Sequence, residues 1–167
     1  AVITKIVFRL IILPTKDISM LIPFTSSEMA CQAVSAVFRA GINPSCLEFM
    51  ERDAIDWTLK YTDASINNLT DDIQAHLLIE VDGNDIDLLY KDCEKIADVL
   101  LKFDCGEILI ADSKSQKDQL WKLRRKVSEA VKANSVYKEE DTVVPRAELP
   151  LLLKGVKQIG KKYGFKS

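Results

Sequence analysis

AHLLIEVDGND, residues 75–85, is the stretch on which the fold turns. From His76 to Asp82 the side chains alternate: Leu77, Ile79 and Val81 fall on one face, and His76, Leu78, Glu80 and Asp82 on the other. Period-two alternation is the geometry of a strand. One apolar face set against a face carrying His76, Glu80 and Asp82 suits an antiparallel sheet covered on one side by helices. A doubly wound parallel sheet would show continuous apolar strands and a glycine-rich first turn, and no GxGxxG or P-loop spacing occurs in the chain.

Downstream of this strand, Gly83-Asn84 turns the chain and Asp85 caps a long helix with Leu88, Leu89, Cys93, Ile96, Ala97 and Leu100 inward. Glu107–Ala111 reads as a strand, 113–133 as a helix, Thr142–Val144 as a strand, and 146–163 as a final helix with Leu149, Leu152, Val156 and Ile159 inward. Upstream, the β-branched run Val2–Leu13 reads as a strand stopped by Pro14, and Ile18–Phe24 as a second. Thr25-Ser26-Ser27-Glu28 has the form of a capping box opening a helix with Met29, Ala33, Val34, Val37 and Phe38 on one face and Gly41 as its stop. A short strand, 46–50, a short helix, 53–61, and an Asn-rich loop, 63–72, complete the pattern. The order β-α-β then β-α-β-α-β-α predicts an α+β fold of split β-α-β units.

Composition bounds the function. The chain has 167 residues, 47% hydrophobic and 29% charged, with a formal net charge of −2. That describes a globular domain able to bury a core, without the clustered base of a nucleic-acid-binding surface. No apolar run reaches membrane-spanning length, and no signal-peptide pattern opens the chain. Cys31, Cys46, Cys93 and Cys105 share no CxxC spacing and His76 is the one histidine, so no metal site is expected. The cysteines read as reduced, mostly buried thiols of a cytoplasmic protein, the inner face of the membrane being the alternative location.

The candidate site lies in LRRKVSEAVKANSVYKEEDTVVPRAEL, residues 123–149. On a helical wheel Leu120, Leu123, Val127, Ala130 and Val131 form the apolar stripe, and Lys122, Arg125, Lys126 and Glu129 point to water. Arg124 and Ser128 lie four residues apart on one flank of that stripe, beside Trp121. An edge guanidinium needs a partner: either a carboxylate of this chain in a structural ion pair, or the carboxylate of a substrate, with Ser128 as a hydroxyl donor and Lys138 as a second cation. Glu48 on its strand and His76 are the other acid–base candidates, each read more simply as an exposed group on a solvated strand face. Arg52, Asp53 and Asp56 read as helix-start and surface charge.

Several stretches together resemble one family. Ala1-Val2-Ile3-Thr4-Lys5 with Arg9-Leu10 and Pro14 resembles the junction between the FAD-binding and substrate domains of FAD-linked oxidases of the glycolate oxidase and D-lactate dehydrogenase type, within the vanillyl-alcohol oxidase superfamily. GINPSCLEFME, AHLLIEVDG, LWKLRRKVSEAV and DTVVP resemble successive segments of the C-terminal substrate, or cap, domain. The resemblance implies a ferredoxin-like α+β cap domain over 15–167, preceded over 1–14 by the tail of the FAD-binding domain and a linking strand, and cut short at its own C-terminal end. It implies FAD as cofactor, bound mainly by residues outside this chain, with Val2, Ile3 and Thr4 at its edge. It implies a 2-hydroxy acid (glycolate, D-lactate or D-2-hydroxyglutarate class) oxidised to the 2-oxo acid, with Arg124, Ser128 and Lys138 gripping its carboxylate. The family spacing would put Lys138 two residues before the aspartate of the DTVVP-like strand; here it stands three before Asp141. The family's histidine-rich metal or base segment is expected beyond Ser167, the electron acceptor is left open, an iron–sulfur partner included, and this stretch alone is expected to be inactive. The rival expectations are a stand-alone ferredoxin-like ligand-binding or regulatory module, and an RNA-binding module, which would need exposed aromatics and a basic sheet face that these strands lack.

Overall fold

The computed structural model describes residues 2–64, 66 and 69–167. Four strands form one sheet: β1 (Lys16–Phe24), β2 (Cys46–Glu51), β3 (Ala75–Gly83) and β4 (Leu109–Ala111). Their order is β2-β3-β1-β4, and every neighbouring pair is antiparallel. Five helices accompany them: α1 (Ser27–Arg39), α2 (Arg52–Thr62), α3 (Ile86–Leu100), α4 (Lys114–Asn134) and α5 (Leu149–Tyr163). β1-α1-β2 and β3-α3-β4 are thus two split β-α-β units, each admitting a strand of the other between its own pair. The expected ferredoxin-like arrangement is present, with α2 inserted between β2 and β3.

The alternation in β1 and β3 sorts the core into two layers. Ile18, Met20, Ile22 and Phe24 of β1 and Leu77, Ile79 and Val81 of β3 pack against Ala30, Ala33, Val34 and Val37 of α1 and Leu89, Cys93, Ile96 and Leu100 of α3. The opposite face is covered too: Leu21, Leu78, Met50 and Ala111 pack with Ile55 of α2 and Leu120 of α4. The single helical layer read from the sequence therefore holds for α1 and α3, and α2 and α4 add a second. Burial of the central strands on both faces follows, and it sets the environment of His76 and Glu80.

Local signals act much as the sequence suggests. Asp85 caps α3 by accepting from Asp87 N at 3.0 Å and Leu88 N at 3.4 Å, and Ser113 and Gln116 form a reciprocal capping box on α4. Gly41, at φ +79°, takes the left-handed conformation just beyond α1. The box expected on Thr25–Glu28 forms instead as a simple cap one residue on: Ser26 Oγ accepts from Met29 N at 3.3 Å, while Glu28 accepts from Gln32 at 3.4 Å.

Four expectations fail. On α3, Leu88, expected inward, stands 54% exposed. Val2–Leu13 and Thr142–Val144 form no strand; the first stretch lies exposed, with Val2 89% accessible, and in the second Val143 is 96% accessible and Val144 half-buried. Both stretches have strand-forming side chains, but a strand exists only where a neighbouring strand completes its ladder. On α5, Leu149 and Leu152 are partly covered, whereas Val156 and Ile159 are exposed. Residues 65, 67 and 68 of the expected Asn-rich loop, and Ala1 of the N-terminal motif, lie outside the described residues.

Candidate functional site

The site is built where α4 crosses the second face of the sheet. Lys117, Trp121 and Arg124 stand at four- and three-residue intervals, so they project from one flank of the helix. Each meets a carboxylate on a different strand. Lys117 Nζ lies 2.6 Å from Asp17 Oδ2 of β1. Trp121 Nε1 donates to Glu80 Oε2 of β3 at 2.8 Å. Arg124 Nε donates to Glu48 Oε2 of β2 at 2.8 Å. Because β2 is the edge strand, the next residue on this flank, Ser128, falls beyond the sheet and is exposed.

The middle contact involves a buried residue of a third element. Ser19, fully buried on β1, donates its Oγ to Glu80 Oε2 at 3.0 Å. Ser45 Oγ donates to the Glu80 carbonyl at 3.1 Å. The Glu80 carboxylate thus accepts from the two elements it joins, which offsets its partial desolvation. At the outer contact the Arg124 and Glu48 side chains are 35% and 29% exposed. Cys46 Sγ lies 3.8 Å from Glu48 Oε1. Burial first, and then the nearby Glu48 and Glu80 charges, push the Cys46 thiol above its ordinary range. Glu48 is therefore not the solvated strand group expected but half of an ion pair.

The manner of pairing decides what Arg124 can still do. Glu48 engages Nε, the side of the guanidinium; among the described residues the terminal nitrogens, Nη1 and Nη2, make no hydrogen bond. That end is the fork that meets a carboxylate two-on-two. The ion pair and the anchor, which the sequence poses as alternatives, are geometrically compatible.

The other candidates are more scattered. Lys138 lies beyond the end of α4, 84% exposed, and pairs with Glu140 at 2.7 Å. Val2, Ile3 and Thr4 are exposed in the N-terminal segment, far in sequence from the α4 flank. His76 is not an exposed base. It is 2% accessible, its Nδ1 has no partner among the described residues, and burial, assisted by the Arg52 charge, pushes its pKa down to about 4. Arg52 is a structural fixture: its Nη1 donates to the Thr70 carbonyl at 2.6 Å and the Ile73 carbonyl at 3.1 Å, and its Nε meets Asp56 at 2.8 Å. An open cleft of about 540 Å3 lies on the other flank of α4, between Leu59, Leu109, Gln119 and Leu123; Arg124 does not line it. All four cysteines are free, Cys31 and Cys93 buried. No group of three metal-ligating side chains occurs among the described residues, and no helix is long and apolar enough to cross a membrane.

Residues 13–167 match the family of FAD linked oxidases, C-terminal domain. The chain belongs to that family. It is 28% identical over 169 residues to D-lactate dehydrogenase of Anaerostipes hadrus, covering 99% of this chain and 36% of that protein. It is 29% identical over 166 residues to glycolate oxidase subunit GlcD of Escherichia coli K12, covering 99% of this chain and 32% of that protein. A probable mitochondrial D-2-hydroxyglutarate dehydrogenase of rice is 31% identical over 146 residues, 82% of this chain and 25% of that protein. The chain thus spans about a third or less of the length of these relatives.

The cofactor class of the family is FAD. Val2, Ile3 and Thr4 lie exposed on a segment without regular secondary structure, and these three side chains by themselves enclose no cofactor.

The sequence pointed to Arg124 and separately to Glu48, but not to the row Asp17, Glu80, Glu48 beneath Lys117, Trp121, Arg124. Two signals were available: Glu80 occupies an inward position of a strand with apolar neighbours, and a buried indole N–H seeks an acceptor.

Proposed function

We propose that the whole protein oxidises a 2-hydroxy acid of the glycolate, D-lactate or D-2-hydroxyglutarate class to the 2-oxo acid, and that this chain supplies the face that holds the substrate carboxylate. The observation carrying this reading is the fork of Arg124, whose terminal nitrogens make no hydrogen bond among the described residues while its Nε is held by Glu48. The names of the relatives support the substrate class, and the family supports FAD as the group that accepts the hydride from C2. Val2, Ile3 and Thr4 would run along one side of that cofactor, with its other contacts made outside this chain.

The chain's own contribution is orientation. A two-point contact from Nη1 and Nη2 fixes the plane of the carboxylate and so restricts the directions open to the C2–H bond. Ser128, one turn further on the same flank, would donate a hydroxyl hydrogen bond. Lys138 is the second cation; its exposed pair with Glu140 costs little to exchange for a substrate carboxylate. His76, buried and inward on the sheet, has no part in proton transfer in this reading.

The test uses the full-length protein with FAD supplied. Its visible spectrum is recorded anaerobically, and D-lactate, glycolate and D-2-hydroxyglutarate are added in turn. Bleaching of the flavin band by one of them is the expected result. A flavin band that none of the three bleaches, or a protein that takes up no FAD, would contradict the assignment.

A further inference from the structure

We infer that Glu48 is a positioning residue for the substrate: it holds Arg124 by Nε so that the Nη1/Nη2 fork is preset. This inference rests on the reading of Arg124 as the carboxylate anchor. An arginine side chain has four rotatable bonds, and an edge position on a helix leaves them free to swing through water. Glu48 removes that freedom from a rigid base. It lies on β2, which pairs with β3 over six residues, with Leu78 as its Cα partner and the two side chains on the same face. The helix is fixed independently by the Trp121–Glu80 and Lys117–Asp17 contacts, one and two turns before Arg124. With the helix seated on β1 and β3, the 2.8 Å contact to β2 leaves the guanidinium little choice of direction.

The choice of nitrogen matters. A carboxylate that engaged Nη1 and Nη2 would occupy the anchor and compete with substrate. Glu48 approaches from the side and leaves those atoms open, so it acts with the substrate. It also offsets the charge of the guanidinium, so that an incoming anion meets weaker long-range attraction. Shape, more than long-range attraction, then selects the ligand. A substrate meeting a preset fork loses less side-chain freedom on binding than one that must order a mobile arginine. The two ideas give opposite signs. A positioning Glu48 makes its loss raise KM; a competing Glu48 makes its loss lower KM.

The experiment compares Glu48→Ala, Glu48→Gln, Arg124→Ala and the Glu48→Ala/Arg124→Ala pair in the full-length, FAD-loaded protein, using the hydroxy acid that bleaches the flavin. For Glu48→Ala we expect KM to rise about tenfold, with kcat within about twofold and flavin content unchanged. Glu48→Gln, which keeps the shape and one acceptor oxygen, should restore part of the loss. In the Arg124→Ala background the Glu48 substitution should have no further effect on KM, because the residue acts through Arg124. An unchanged or lowered KM in both Glu48 variants, with Arg124→Ala still impaired, would overturn the positioning role and leave the anchor standing. If Arg124→Ala itself leaves KM unchanged, the anchor is what fails. Should Glu48→Ala not fold, the isosteric Glu48→Gln decides by the same sign.

Discussion

Lowering the pH from 7 to 5 should cost the protein about 2 kcal/mol of stability through His76 alone. The side chain is 2% accessible on β3, and Nδ1 has no partner among the described residues. Burial, with help from the Arg52 charge, holds its pKa at about 4, against 6.5 for an ordinary histidine. The folded state therefore disfavours the proton that the unfolded chain accepts. For a depressed pKa the stabilising contribution is complete above the unfolded value and is lost as pH falls toward the folded one. The gap between the two values corresponds to roughly 3 kcal/mol in all, of which about 2 should disappear between pH 7 and pH 5. Urea unfolding at several pH values, at constant ionic strength, reads the loss as a falling midpoint at unchanged slope. His76→Leu should flatten that dependence. Parallel loss of stability in the parent and in His76→Leu would refute the reasoning.

Other outcomes follow from the same contacts. Trp121→Phe keeps the ring but removes the donor to Glu80, and should cost about 1–3 kcal/mol in urea unfolding. Ile55→Ala, at a fully buried position of the second core, should cost about 2–5 kcal/mol by the same measurement. Glu48→Gln should lower the Cys46 thiol pKa, since the Glu48 charge helps raise it; the pH dependence of Cys46 alkylation, followed by peptide mapping, would show the shift. Lys138→Ala should raise KM less than Arg124→Ala does, because its pair with Glu140 is exposed and screened.

What could be read from the sequence was local. The alternation in 76–82, the cap at Asp85 and the stripe of α4 each depend on residues within one or two turns, and each appears where expected. The environment of His76 was not local. Alternation shows that His76 shares a face with Leu78 and Glu80; it does not show that α2 and α4 will cover that face. The apolar runs at 2–13 and 142–144 show the converse, since strand-forming side chains do not supply a neighbouring strand. The wheel placed Arg124 at the edge of the apolar stripe, and the structure agrees, at 35% exposure. Its partner could not be found that way, because Glu48 lies 76 residues away and only the β2–β3 register and the crossing of α4 bring the two together.

The central claim is that Arg124 receives the substrate carboxylate on its free fork. The most direct measurement is the KM of the full-length, FAD-loaded protein for its hydroxy acid, before and after Arg124→Ala, at matched flavin content. Loss of a charge-assisted two-point contact predicts a KM at least about 30-fold higher, with Arg124→Lys recovering only part because an ammonium lacks the planar fork. A KM unchanged by both substitutions would contradict the account and return Arg124 to the role of a structural partner for Glu48.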